Sequence, residues 1–329
     1  MFKNEASARY DARKKKVLNS VLALIGVGFL LLLAGYQLYL ASPGEEKAKM
    51  VRIRSGMNLE EITELLAEEG VVRSARVTEV LARLRGVGTQ IEAGDYFFSE
   101  PISAWEVTSR LLESEKGIDL VRVTLPEGLT ANQKAHLISS RLPEVDRSLL
   151  AQKGQKYEGY LFPDTYYFSP FSDEAEILEI MLDNFKNRIE PLEEEIERSE
   201  RTLEEIVIMA SMLELEARTT ESRRMISGLL WKRLDDGMLL QVDAVFPYII
   251  GKNTFEVTLE DLRYDSPYNT YRYPGLPAGA IANPGLDSIK AALRPIESPY
   301  WYYLSDMEGN MHYTITHEDH VRNKHKYLR

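Results

Sequence analysis

Two carboxylates stand inside an otherwise apolar stretch, LEEIVIMASMLELEA (203–217): Glu214 and Glu216. The stretch reads as a helix that is apolar nearly all round, and hence largely buried. At 3.6 residues per turn, side chains two apart point about 200° from one another. Glu214 and Glu216 therefore cannot both face one small cleft. On a helical wheel Glu214 falls among Leu203, Ile206, Val207, Ala210 and Ala217, and Glu216 falls nearer Met209, Met212 and Leu213. A carboxyl hemmed by apolar neighbours and lacking a cation favours its protonated form. That is the state of a general acid working near neutral pH. The competing reading is structural, with each Glu held by a cation such as Arg218 or Arg223. Residue physics leaves both readings open and does not choose between the two glutamates.

Other groups with chemical potential are fewer. The rings of Tyr160, Phe162, Tyr166, Tyr167 and Phe168 could stack on sugar faces, although a buried strand accounts for most of them equally well. Tyr268, Asn269 and Thr270 cluster in a loop bounded by Pro and Gly. A buried core would not ask for Asn there, so the loop reads as lining a cleft. His312, His317, His320 and His325 offer one His-x-x-His spacing, but no carboxylate scaffold follows it. A solvated C-terminal helix is expected there rather than a metal site. The chain has no cysteine, which excludes thiolate chemistry and Cys-ligated zinc. It contains no phosphate-binding loop, dinucleotide fingerprint or nucleophile elbow, and no cofactor is expected.

The charge pattern narrows the partners. The net charge of the 329 residues is −11, yet residues 1–16 carry six bases against two acids. The remaining body is thus more acidic than the whole, which argues against nucleic acid as a partner. Residues 17–41 contain no charged side chain. About 20 apolar residues suffice for a bilayer-spanning helix, and Tyr36 and Tyr39 suit an interface. A single-pass anchor in the cell (inner) membrane is therefore expected, with the basic tail cytoplasmic and the body exported. A cleaved signal peptide fits less well, because GYQLYLASPG is a poor cleavage site.

The elements that must position the chemistry follow from periodicity. Residues 42–49 form a polar linker, and residues 50–116 read as strand, helix, helix, strand and a further short helix. Leu59, Ile62, Leu65 and Leu66 mark the first helical stripe, and Val77, Val80, Leu81 and Leu84 mark the second. This small α+β module resembles LysM-like modules, with a plain spacer as the alternative. Residues 117–329 form a larger, mostly helical region. It opens with a strand at LVRVTLPEG and a helix at AHLISSRL, continues through a Glu-rich helical stretch (178–205), and includes a helix from Met225 to Leu234. Asn283-Pro284 reads as an N-cap with Pro at the first position of a helix running to Leu293. YWYYLS, DMEGN and MHYTIT predict a β-hairpin near the end. The fold class is α+β: a transmembrane helix, a LysM-like module and a mostly helical region with a hairpin.

Several segments together resemble a known family: EGYLFPDTYYF (158–168), ASMLELEA (210–217), KRLDDGMLLQVD (232–243), YNTY (268–271) and GLPAGAIANPG (275–285). With them the chain is similar to the membrane-anchored endolytic murein transglycosylases, the YceG-like family. The resemblance implies that the second Glu of the Ala-Ser-x-x-Glu-x-Glu motif, Glu216, is catalytic. Glu214 would support it, and Glu158, Gln241, Asp243, Tyr268, Asn269 and Thr270 would support the site or bind substrate. It implies a peptidoglycan glycan strand as substrate. Cleavage of the β-1,4 bond from N-acetylmuramic acid to N-acetylglucosamine would leave 1,6-anhydro ends and end strand elongation. Synthases would be partners, and neither metal nor water would take part. The family's Asp-Pro reads Asp243-Ala244 here, and its Glu-Arg downstream of the motif reads Ser222-Arg223. A lysozyme-like hydrolase, with Asp243 activating water, and a non-catalytic glycan-binding scaffold are the rival readings.

Overall fold

The structure is a computed structural model, and it describes residues 19, 21–43, 48–87, 91–99, 102–306 and 308–328. The chain divides between Asp119 and Leu120 into two compact units.

The first unit begins with helical residues 21–35 (α1), which pass into a π-helical turn at Tyr36–Leu40. This departs from the single-pass anchor expected over 17–41 and from the extracytoplasmic placement of the body that rested on it. Among the described residues no helix is long and apolar enough to cross a membrane. Within the apolar stretch the α-helical pattern gives way to the π-helical turn at Tyr36–Leu40, and the backbone becomes extended at Ala41. The basic tail at 1–16 lies outside the described residues.

Strand β1 (Lys49–Ile53) then pairs antiparallel with β2 (Gly94–Phe98), Val51 opposite Tyr96. Between them run α2 (Leu59–Glu68) and α3 (Ala75–Leu84), and α4 (Ala104–Leu112) follows. Asn58 and Glu61 form a reciprocal capping box that satisfies the first amides of α2. Val51, Ile53, Ile62, Leu66, Tyr96 and Val107 close a core of their own. The second stripe departs from expectation. Helix α3 buries Thr78 and Ala82 and leaves Val80 58% and Leu84 81% exposed. Its helical period is as read, but the fully buried positions are the small Thr78 and Ala82, with Leu81 partly buried against the same core.

The second unit holds two cores. In one, β3 (Val121–Thr124) pairs antiparallel with β4 (Thr165–Phe168). It is packed with α5 (Ala131–Ser139), α6 (Arg147–Gln155) and α7 (Glu174–Ile189) around Val123, Leu125, Ile138, Phe168 and Ile177. Of the five aromatics weighed for sugar stacking, Phe162, Tyr166 and Phe168 are buried, which is the core-filling alternative.

The other core surrounds α9 (Leu203–Glu216), which follows the short α8 (Glu193–Arg198). Every side chain from Ile206 to Leu213 is buried, as a helix apolar all round requires. A Thr202–Glu205 capping box starts α9, and it ends at Glu216. Helix α10 (Thr220–Asp235), α11 (Val245–Ile250) and α12 (Leu286–Leu293) follow. A hairpin of β5 (Tyr302–Ser305) and β6 (Met311–Thr314) precedes α13 (His317–Tyr327), which has no buried residue.

The expected cap of α12 is also corrected. The N-cap is Gly285, not Asn283. Asn283 is fully buried and its amide is occupied elsewhere. Its oxygen accepts from the amides of Gly159 and Leu161, and its nitrogen donates to the Leu129 carbonyl and to Glu158. A buried amide with so many partners is worth more to the fold than one cap bond at a helix start.

Candidate functional site

Glu216 is the last residue of α9, so the helix delivers its carboxylate to the rim of the second core. Oε1 accepts from the Ala244 amide at 3.3 Å, and Oε2 accepts from the Tyr303 hydroxyl at 3.1 Å. Among the described residues no cation pairs with it. Burial, and then the charge of Asp243, push its pKa up to about 7, against the pull of the Tyr303 and Ala244 bonds. Glu216 is closely surrounded yet keeps partial access to solvent. At neutral pH a large fraction of such a carboxyl carries a transferable proton.

Asp243 reaches this neighbourhood through a tight turn. Gln241 adopts φ +52°, a left-handed conformation that costs an ordinary residue about 1–3 kcal/mol. Backbone pairing holds it: the Gln241 amide donates to the Thr270 carbonyl at 3.1 Å, and the Val242 amide donates to Thr270 Oγ1 at 3.0 Å. The Tyr271 hydroxyl then donates to Asp243 Oδ1. Asn269 is 1% exposed and donates to the Leu262 and Tyr264 carbonyls while accepting from the Tyr271 amide. Asn269 and Thr270 are thus buried struts that shape the loop, not a lining with free polar tips. Asn sits in this buried place because backbone groups of an irregular loop need side-chain partners. Tyr268 lies further along, its ring 5.1 Å from that of Tyr248.

Glu214 points elsewhere, as its place on the helix requires. Its Oε1 accepts from Arg223 at 2.8 Å. Its Oε2 accepts from the Gly285 amide at 2.9 Å and from the Ser288 hydroxyl at 2.8 Å. The carboxylate therefore caps the N-terminus of α12, where anions are favoured. Arg223 also bonds Asp287 at 2.7 Å, so one guanidinium ties α9, α10 and α12 together. Burial, reinforced by Glu214, raises the pKa of Glu127 beside this cluster.

Glu158 belongs to a third group. It accepts from the Ala131 amide at 3.0 Å and from Asn283 at 2.6 Å, with buried Lys134 nearby. Burial raises Glu158 and lowers Lys134, each to about 7, while their mutual attraction opposes both shifts. Lys134 donates to the Leu161 carbonyl. Glu158 thereby anchors the start of α5 and the 158–162 segment.

The sequence-selected residues thus fall into separate places. Glu216, Asp243, Gln241, Thr270 and Asn269 converge on one rim of the second core. Glu214 braces the start of α12, and Glu158 braces the start of α5. Sequence reasoning passes over Tyr303, Tyr271 and Arg233. Tyr271 stands inside the YNTY segment, whereas Tyr303 is 87 residues from Glu216 and carries no local signal. Among the histidines, His312 stacks on Tyr327 at 3.8 Å, and His320 stacks on Tyr302 at 5.3 Å.

Residues 51–326 match the YceG-like family, and the chain belongs to it. An endolytic murein transglycosylase of Bacillus subtilis (strain 168) is 28% identical, over 93% of this chain and 91% of that protein. One from Streptococcus pneumoniae serotype 2 (strain D39) is also 28% identical, over 88% of this chain but 61% of the longer relative. A solved yceG-like protein of Listeria monocytogenes is 27% identical, with a TM-score of 0.57, over 85% of this chain and all of that one.

Proposed function

We propose that this chain is an endolytic murein transglycosylase, a lyase that cuts peptidoglycan glycan strands internally. Glu216 is its general acid and then its general base. It protonates the oxygen of the β-1,4 bond between N-acetylmuramic acid and N-acetylglucosamine, and that bond breaks. The resulting carboxylate takes the proton from the muramoyl C6 hydroxyl as O6 bonds to the anomeric carbon. The 1,6-anhydro ring closes and Glu216 regains its starting proton. The nucleophile is tethered to its target, so its effective concentration is high. The observation that carries the reading is a carboxyl with no cation partner among the described residues, held near neutrality between Tyr303 and the Ala244 amide. The family membership and the names of the relatives agree with it. Cooperation with peptidoglycan synthases, and glycan binding by the first unit as a LysM-like module, belong to the same reading.

One observation favours a second reading. Asp243 lies close enough for its charge to raise Glu216, so a second carboxylate is at hand to activate water as in an inverting hydrolase. Digestion of un-crosslinked glycan strands by the purified chain separates the two. Anhydromuramoyl ends that resist borohydride support the transglycosylase. Reducible muramoyl ends would favour the hydrolase, and intact strands would leave a binding scaffold.

A further inference from the structure

Arg233 is a buried charge that the mechanism above does not use. It is 4% exposed and lies on α10. Among the described residues no carboxylate pairs with it. Its partners are main-chain carbonyls: Nε donates to Trp301 at 2.8 Å and Nη1 donates to Leu240 at 2.6 Å. Its guanidinium lies 5.2 Å from the centre of the Tyr302 ring. A buried cation without a counter-ion is costly to the fold, so its retention needs a reason.

The two carbonyls supply one. Trp301 immediately precedes β5, which carries Tyr303 to Glu216. Leu240 opens the turn that carries Asp243 to Tyr271. One planar fork therefore bridges the two segments that bond Glu216, a task a point-like ammonium cannot reproduce. The positive charge also stands behind both phenols. It favours their ionised forms, against the burial that raises Tyr303 and Tyr271. A phenol polarised in this way is a stronger hydrogen-bond donor.

We infer that Arg233 is a positioning residue of the Glu216 reaction, holding β5 and the 240–244 turn together and polarising the tyrosines that bond Glu216 and Asp243. The inference rests on the transglycosylase reading. It adds that the carboxylate left when Glu216 gives up its proton is stabilised through Tyr303, with Arg233 behind it. The titratable and charged groups facing this cluster are Glu216 from α9, Asp243 and Tyr271 from the loops, Tyr302 and Tyr303 from β5, and His320 from α13. His317 and Lys324 stand beyond His320. Burial, with Lys324, Arg233 and His317, lowers His320 to about 4, so it stays neutral where Glu216 titrates.

The test is the pH profile of strand cleavage by the full chain and its Arg233→Lys, Arg233→Gln and Tyr303→Phe variants, each checked for a cooperative melt. Arg233→Gln should lower kcat about tenfold or more with KM little changed, and move the basic limb to higher pH. Tyr303→Phe, which removes only a hydroxyl, should move that limb in the same direction. Arg233→Lys keeps the charge and should keep the limb near its wild-type position while losing rate. In the Tyr303→Phe background, Arg233→Gln should move the limb no further. Should Arg233→Gln not fold, the Tyr303→Phe and Arg233→Lys limbs decide. A limb unmoved by Tyr303→Phe, a limb displaced by Arg233→Lys as far as by Tyr303→Phe, or an Arg233→Gln effect confined to KM would overturn the inference. Wild-type chain yielding no anhydro ends would instead overturn the underlying function.

Discussion

Glu214 and Glu216 are two residues apart on the same helix end, and the structure gives them opposite surroundings. Glu214 meets a guanidinium, a hydroxyl and a helix N-terminus. Glu216 meets a phenol, one amide and a second carboxylate, and among the described residues no cation. Partners, not burial, separate the two, since both are partly buried at the end of α9. A buried carboxylate with a guanidinium becomes part of the scaffold; one without a cation keeps a proton it can give away. The roughly 200° between them on the helix is what lets neighbouring positions serve such different ends.

The largest expected effect breaks this comparison on the Glu216 side. Glu216→Gln keeps the shape and removes the transferable proton, so strand cleavage should fall about 10²–10⁴-fold with melting preserved. A variant cutting at the wild-type rate would remove Glu216 from the chemistry. On the other side, Glu214→Gln should act through the scaffold. Gln can still accept from Gly285 and Ser288, and Arg223 keeps Asp287, so a loss of about 1–3 kcal/mol in denaturant titration is expected. Full stability combined with dead activity would exchange the two roles.

Much of this contrast is legible in the amino-acid sequence. The apolar run of 203–217 and the helical wheel set the glutamates on different faces, and Arg223 is among the cations within reach of one of them. The hairpin is legible too, because aromatic and β-branched runs flank a Gly-containing turn. What local pattern cannot express is where a side chain finds distant partners. Asn283 next to Pro284 has every mark of a helix cap, yet its amide is claimed by segments more than 120 residues away. Asn269 is too polar for an apolar core, yet it is buried because the carbonyls of its own loop need a donor. An anchor over 17–41 rests on composition, and composition does not fix where a regular α-helix gives way to another backbone form, as it does at Tyr36–Leu40.

Smaller effects sharpen the account of Glu216 itself. Asp243→Asn removes a neighbouring negative charge and should lower the Glu216 pKa, moving the basic limb of the cleavage profile to lower pH while activity persists. Loss of all activity in that variant would instead give Asp243 the task of activating water. The smallest effect is on stability. Glu216 binds its proton more tightly when folded, about 7 against an ordinary 4.5, so its contribution to folding weakens as pH rises through that window. Glu216→Gln should therefore raise the melting temperature, relative to wild type, more at pH 8 than at pH 5. An equal or reversed difference in differential scanning calorimetry would count against a raised pKa.

The central claim is that Glu216 holds its proton near neutral pH because it is buried beside Asp243 with no cation to pair with among the described residues. Its side-chain carboxyl can be followed directly by 13C NMR in chain labelled at glutamate, the signal being assigned as the one absent from Glu216→Gln. The account predicts a titration midpoint of about 7, falling when Asp243 is replaced by Asn. A midpoint near the ordinary 4.5, unmoved by that substitution, would contradict it.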